Sequence, residues 1–136
     1  MKVILDVNVI LSALIRDSTT RKIILNSQFD LYFPEPSLDK IRKYKDYILE
    51  KSGLTEEEFK DLMAILFKYI RILPTEEIEK NWKEAKNIME HTDPEDVVFI
   101  ATALSIKDSV IWSDDRHFEK QDKVKILKTK DALHNY

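Results

Sequence analysis

With 136 residues, 35% of them charged, the chain is the length of one domain spanning 1–136 and can bury roughly two thirds of its unfolded surface. The absence of cysteine excludes disulfides and thiolate metal sites, and a single glycine, Gly53, excludes the Walker A and GxGxxG phosphate loops, which need several. Net charge is −3, from 22 basic and 25 acidic residues, so a polyanionic partner would have to be held by a local basic strip rather than by a global field.

There is no apolar run of about 18 residues and no basic leader before a small-residue cleavage site, which leads to the expectation of a soluble cytoplasmic protein with no membrane partner. Val3-Ile4-Leu5 is an unbroken apolar run of the kind buried on both faces in a parallel sheet, and it stops on Asp6. An acid at that place faces the crevice where open α/β sheets bind ligands; its other use is to cap the helix predicted over 9–15. Ser18-Thr19-Thr20-Arg21 breaks the apolar pattern and can cap a second helix carrying Ile23, Ile24 and Leu25. Residues 29–33 read as a second strand, ended by Pro34-Glu35-Pro36. Pro36 suits the first turn of a helix running to about Ser52 and stopped by Gly53, with Leu38, Ile41, Tyr44 and Ile48 on its inner face.

Thr55-Glu56-Glu57-Glu58 is a capping box, and the helix it opens is predicted to reach Tyr69, with Phe59, Leu62, Met63, Leu66 and Ile70 as its core stripe. Ile65, Phe67 and Tyr69 widen that apolar surface, either because the helix is wedged between neighbours or because it forms a homodimer face. Residues 71–74 are a short third strand, and Thr75 caps a helix with Ile78, Trp82, Ala85 and Met89 on one side. In Thr92-Asp93-Pro94-Glu95-Asp96, Asp93 is the N-cap and Pro94 the first residue of a helix whose body, 97–104, is almost wholly apolar and therefore buried on most sides. Residues 109–113 form a fourth buried strand followed by Asp114 and Asp115, 124–127 a fifth, and 129–134 a terminal helical turn. Strands alternating with helices, without a hairpin signal, give a parallel sheet covered on both faces.

Asp6, Asp96 and Asp115 fall at a strand end, in the first turn of a buried helix and at another strand end, places that a doubly wound sheet brings together. Singly, each has a structural use: Asp96 suits the helix dipole, and Asp6 and Asp115 can cap turns. Convergence is another matter, because carboxylates ~5 Å apart at an effective dielectric of ~20 repel by about 3 kcal/mol per pair, and a cation must offset that. A hard divalent ion such as Mg²⁺ or Mn²⁺ takes oxygen ligands and can activate water against a phosphodiester. His91, His117 and His134 show no metal-ligand spacing, so zinc is not expected.

Through Leu5-Asp6-Val7-Asn8, Asp93-Pro94-Glu95-Asp96-Val97-Val98-Phe99-Ile100-Ala101 and Ile111-Trp112-Ser113-Asp114-Asp115-Arg116-His117-Phe118, in that order and across nearly the whole chain, the sequence resembles the PIN-domain nucleases. The resemblance implies a single-domain α/β/α sandwich with a five-stranded parallel sheet. It also implies a Mg²⁺- or Mn²⁺-dependent ribonuclease, either a VapC-like toxin or an RNA-processing enzyme. Asp6, Asp96 and Asp115 then match the catalytic, metal-holding acids, Asn8 and Ser113 match the polar residues that flank them, and Asp93 and Asp114 stand beside these as supporting groups. RNA is the implied substrate, and the toxin members imply an antitoxin protein that covers the crevice.

One departure stands out, since the family usually carries a glutamate early in the helix after the second strand and this chain has Lys40 there. Asp39, turned about 100° away on a helix, and Glu35, nearer the strand end, are the candidate fourth carboxylates. Alternatively Lys40 neutralises the acids, with its ammonium within ~4 Å of Asp6, and the protein is a catalytically impaired module that binds RNA or protein. Lys40-Ile41-Arg42-Lys43-Tyr44-Lys45 is the densest basic segment. With Arg116 it offers Lys40, Arg42 and Lys43 as an RNA-binding rim, unless it is only a solvated helix face.

Overall fold

Val3, Ile4 and Leu5 are fully buried in β1 (Lys2–Leu5), the middle strand of a five-stranded sheet. β2 (Asp30–Pro34) and β3 (Ile70–Leu73) extend the sheet on one side, β4 (Ser109–Trp112) and β5 (Ile126–Leu127) on the other. Every pairing is parallel and the order is β3-β2-β1-β4-β5, with Ile4 level with both Tyr32 and Ile111. The structure, a computed structural model, describes residues 1–15, 19–89 and 93–135. The expected cap at Ser18, the start of the helix signal at Thr92, and His91 lie outside the described residues.

The chain winds outward from β1 through β2 to β3, then returns across the sheet to β4 on the far side of β1. Right-handed crossovers put the outward and the return connections on opposite faces. The outward ones are α1 (Val7–Ile15), α2 (Thr19–Asn26), α3 (Leu38–Lys43), α4 (Lys45–Ser52) and α5 (Glu56–Leu66), and α1 packs against all four others. On the return come α6 (Thr75–Glu79), α7 (Trp82–Ile88) and α8 (Pro94–Ser105); α8 carries the other two and lies against β1, β2 and β4. The last helix, α9 (Thr129–Asn135), packs on α2. No helix among the described residues is long and apolar enough to cross a membrane.

The expected α/β/α architecture with a five-stranded parallel sheet is what the chain adopts. Local signals held where they are self-contained. Both arms of the capping box form, Glu58 N–H to Thr55 Oγ1 at 3.1 Å and Thr55 N–H to Glu58 Oε1 at 3.0 Å. Gly53 closes α4 at φ 74°, a left-handed conformation that suits a residue without Cβ. Asp93 caps α8 by accepting from Glu95 N–H at 2.9 Å.

Elsewhere the structure corrects the reading. The single helix expected from Pro36 to Ser52 is a 3₁₀ turn over Glu35–Ser37 followed by α3 and α4, broken at Tyr44, whose N–H is shared between the Lys40 and Arg42 carbonyls. α5 ends at Leu66, and Ile70, assigned to its core stripe, is instead a buried residue of β3. The helix expected from Thr75 through Met89 is two, α6 and α7. Thr75 is not its cap: Pro74 holds that place, and the Thr75 N–H and hydroxyl both donate to Glu35 Oε1, at 3.0 and 2.9 Å. β5 is limited to Ile126–Leu127, and α1 begins at Val7, directly after Asp6.

Candidate active site

Winding reverses between β1 and β4, and the crevice beyond their carboxyl ends is where an open α/β sheet binds ligands. Asp6 stands there with its backbone fixed on both sides. Its N–H donates to Trp112 O at 3.1 Å, and its carbonyl accepts from Val9 and Ile10 N–H at 3.1 and 3.3 Å as α1 starts. Asp115 enters from the end of β4 and Asp96 from the first turn of α8. Ser113, fully buried, joins two of the three acids: its Oγ donates to Asp6 Oδ2 at 2.7 Å and accepts from Asp115 N–H at 3.0 Å. Asp115 Oδ1 accepts from His117 N–H at 2.9 Å, which caps a 3₁₀ turn over Arg116–Lys120 and turns the imidazole back toward the acids. His117 Nδ1 lies 3.2 Å from Asp96 Oδ2 and 3.6 Å from Asp115 Oδ1.

Burial dominates the electrostatics. It raises the Asp6 carboxyl from 3.8 to about 6, against the opposing hydrogen bonds from Ser113 and the Val7 backbone, and the charges of Asp115 and Asp96 push the same way. Asp96 is also raised, first by burial, with the His117 bond pulling it down and Asp115 adding to the rise. Among the described residues no lysine or arginine forms an ion pair with Asp6, Asp96 or Asp115. A divalent cation fits that deficit: Asp96, Asp115 and His117 each offer one donor atom within 4.8 Å of one another, Asp6 lines the same cleft, and a cation there would relieve the repulsion that adds to the rise at Asp6 and Asp96. Around them opens a cleft of about 1340 Å³.

A family model of the PIN domain matches residues 4–134. The chain belongs to the PIN-domain family. Its fold is similar to that of a chain in the crystal structure of VapBC2 from Rickettsia felis bound to a DNA fragment from their promoter, with a TM-score of 0.69 at 14% identity over 94% of this chain and 98% of that one. No curated protein matches in sequence.

Within this PIN domain the remaining candidates divide sharply. Lys40, in the usual glutamate position, lines the cleft, but its ammonium pairs with Glu95 at the start of α8 and forms no pair with Asp6. That bond is the main reason its proton is held more tightly than usual. Asp39 also lines the cleft and pairs with Arg42 at 2.8 Å on the exposed side of α3. Glu35 does not reach the cleft, because its carboxylate is engaged by Thr75. Asn8 and Asp93 line the cleft, whereas the Asp114 side chain turns away and accepts from Thr129 N–H and Oγ1 at 2.9 and 2.6 Å, holding the start of α9. Lys43 faces the cleft; Arg42 and Arg116 do not, and Lys51, Tyr44 and Tyr47 take up that rim instead.

His117 is the residue that sequence reasoning missed. Spacing rules look for pairs of histidines, and this one is brought to the acids by a turn that Asp115 caps two residues earlier. The Asp115-Arg116-His117 order is the signal that could have found it.

Proposed function

We propose that this PIN domain, acting as one unit over residues 1–136, is a divalent-metal-dependent ribonuclease that hydrolyses RNA phosphodiesters, with Mg²⁺ or Mn²⁺ held by Asp6, Asp96 and Asp115. Family membership supports the coarser part, a nuclease. The observation that carries the finer part is that three carboxylates, from the ends of β1 and β4 and the first turn of α8, line one cleft, and that among the described residues no lysine or arginine pairs with them. The chemistry such an ion would supply is acidification of water and screening of the phosphodiester charge. Ser113 fixes the Asp6 carboxylate and ties it to the Asp115 backbone, so two ligands are oriented before any ion arrives. Asn8 and Asp93 border the same space, and Lys43, Lys51 and Tyr47 give a rim for the phosphates and bases of a single strand.

The rival, a PIN-like module that binds RNA or protein without cutting, needs Lys40 to stand in for the cation. Pairing of Lys40 with Glu95 supports the enzyme instead. Asp6→Asn is expected to abolish Mn²⁺-dependent RNA cleavage while the circular dichroism spectrum stays that of the wild type; equal cleavage by the two proteins rejects the reading. For the biological role we propose a cytoplasmic toxin of a toxin–antitoxin module, whose antitoxin covers the cleft, a reading supported by the likeness in fold to a VapBC2 chain. Growth arrest on expression, relieved by a small protein encoded next door, is the expected result. Exposed Ile65 and Tyr69 offer a homodimer face, which sedimentation would test.

A further inference from the structure

The donor set at the acids contains one nitrogen, and its position has a chemical consequence. We propose that His117 is a direct nitrogen ligand of the bound ion and makes this site prefer Mn²⁺ to Mg²⁺. The proposal rests on the reading above that the acids hold a divalent cation. Ligands about 2.1 Å from an ion lie about 3.0 Å apart when adjacent in an octahedron and about 4.2 Å apart when opposite. His117 Nδ1 is 3.2 Å from Asp96 Oδ2 and 3.6 Å from Asp115 Oδ1, and one donor atom from each of the three residues lies within 4.8 Å of the others. The spacing is already that of a coordination edge.

The ring is also held. Its backbone N–H is bonded to Asp115, and the next residue, Phe118, is fully buried with its ring edge-on to Phe99 at 6.4 Å between centroids, so the turn that presents His117 is anchored in the core. Where the family has a fourth carboxylate this chain has Lys40, engaged by Glu95, so the site has one oxygen donor fewer and one imidazole at hand. Mg²⁺ takes oxygen and keeps its waters; imidazole suits the later first-row ions best, and Mn²⁺, which shares the carboxylate preference of Mg²⁺ but opens that transition series, gains more from a nitrogen donor than Mg²⁺ does. The alternative is that His117 only hydrogen-bonds the two carboxylates, and the two roles differ in what the metal sees.

The full chain without RNA is loaded with Mn²⁺ alone and studied by pulsed electron paramagnetic resonance for ¹⁴N coupling, with Mn²⁺ and Mg²⁺ affinities measured by titration calorimetry. In the wild type, coupling to a coordinated imidazole nitrogen is expected. His117→Ala and His117→Gln should both abolish it and weaken Mn²⁺ on the order of tenfold to a hundredfold, the range already seen on losing an outer-shell partner, while Mg²⁺ changes little. The glutamine variant keeps a hydrogen-bonding side chain on the turn. If Mn²⁺ binds the wild type without nitrogen coupling, or if the variants lose Mn²⁺ and Mg²⁺ equally, His117 is not a selective ligand and the acidic metal site stands without it. If the wild type binds no Mn²⁺ at millimolar concentration, the metal-site reading falls and this proposal with it.

Discussion

At Asp6 one side chain carries both the proposed chemistry and a stability cost. Burial raises its carboxyl from 3.8 in the unfolded chain to about 6 in the folded one. Between those values the folded chain holds more protons than the unfolded chain, so stability falls as pH rises and the loss is complete just above pH 6. A rise from 3.8 to about 6 corresponds to about 3 kcal/mol. Asp6→Asn removes the charge and keeps the shape. In chelator at pH 7.5 it should therefore unfold at higher denaturant than the wild type, by on the order of 2 kcal/mol, and the gap should close below pH 4. A variant no more stable than the wild type at pH 7.5 would show that the acid is not strained by burial. The same substitution is the one expected to end cleavage, so gain of stability and loss of activity should appear together. Asp6, Asp96 and Asp115 were legible in the sequence because each ends an apolar run or opens one, whereas the hydrogen bond from Ser113 to Asp6 spans 107 residues and needs the folded sheet.

Elements were legible where their signals are local. The Thr55 capping box, the Gly53 stop and the Asp93-Pro94 start each lie within a few residues and formed as written. The breaks inside the helices expected from Pro36 to Ser52 and from Thr75 onward were not legible, because no glycine or proline marks Tyr44 or the turn after Glu79. At Thr75 the reason is tertiary: Glu35, 40 residues earlier, satisfies the first N–H of α6 and occupies the hydroxyl that was read as a cap. That engagement fixes the role of Glu35, whose proton affinity is lowered first by the Thr75 N–H and then by its hydroxyl. Glu35→Ala should loosen the start of α6, seen as faster amide exchange at Thr75, and leave Mn²⁺ affinity unchanged. A fall in Mn²⁺ affinity would return Glu35 to the list of metal ligands.

On the scale of the whole molecule, the charge balance and the site pull in opposite directions. The protein is net −3 and its cleft floor is acidic, so an RNA strand, the proposed substrate, would approach against the field and would have to be held by a few cations at the rim. Lys43 and Lys51 line that cleft as its rim cations, while Lys40 is paired with Glu95, Arg42 is tied to Asp39, and Arg116 lies outside the lining. Two phosphate contacts on a single strand correspond to a slope of about −1.4 in log affinity against log salt, from roughly −0.7 per contact. Binding should therefore be weak and salt-sensitive, and a divalent ion on the acids should strengthen it by reversing the local repulsion. With the cleavage-dead Asp6→Asn chain and a short single-stranded RNA, Lys43→Gln should reduce the slope by about 0.7, because it removes one released counterion. Arg42→Gln should leave the slope unaltered, since that guanidinium faces away from the cleft and is already paired. If Arg42 lowers the slope as much as Lys43 does, the strand follows the outer face of α3 rather than the cleft, and the basic strip read from the sequence is the binding surface as a whole.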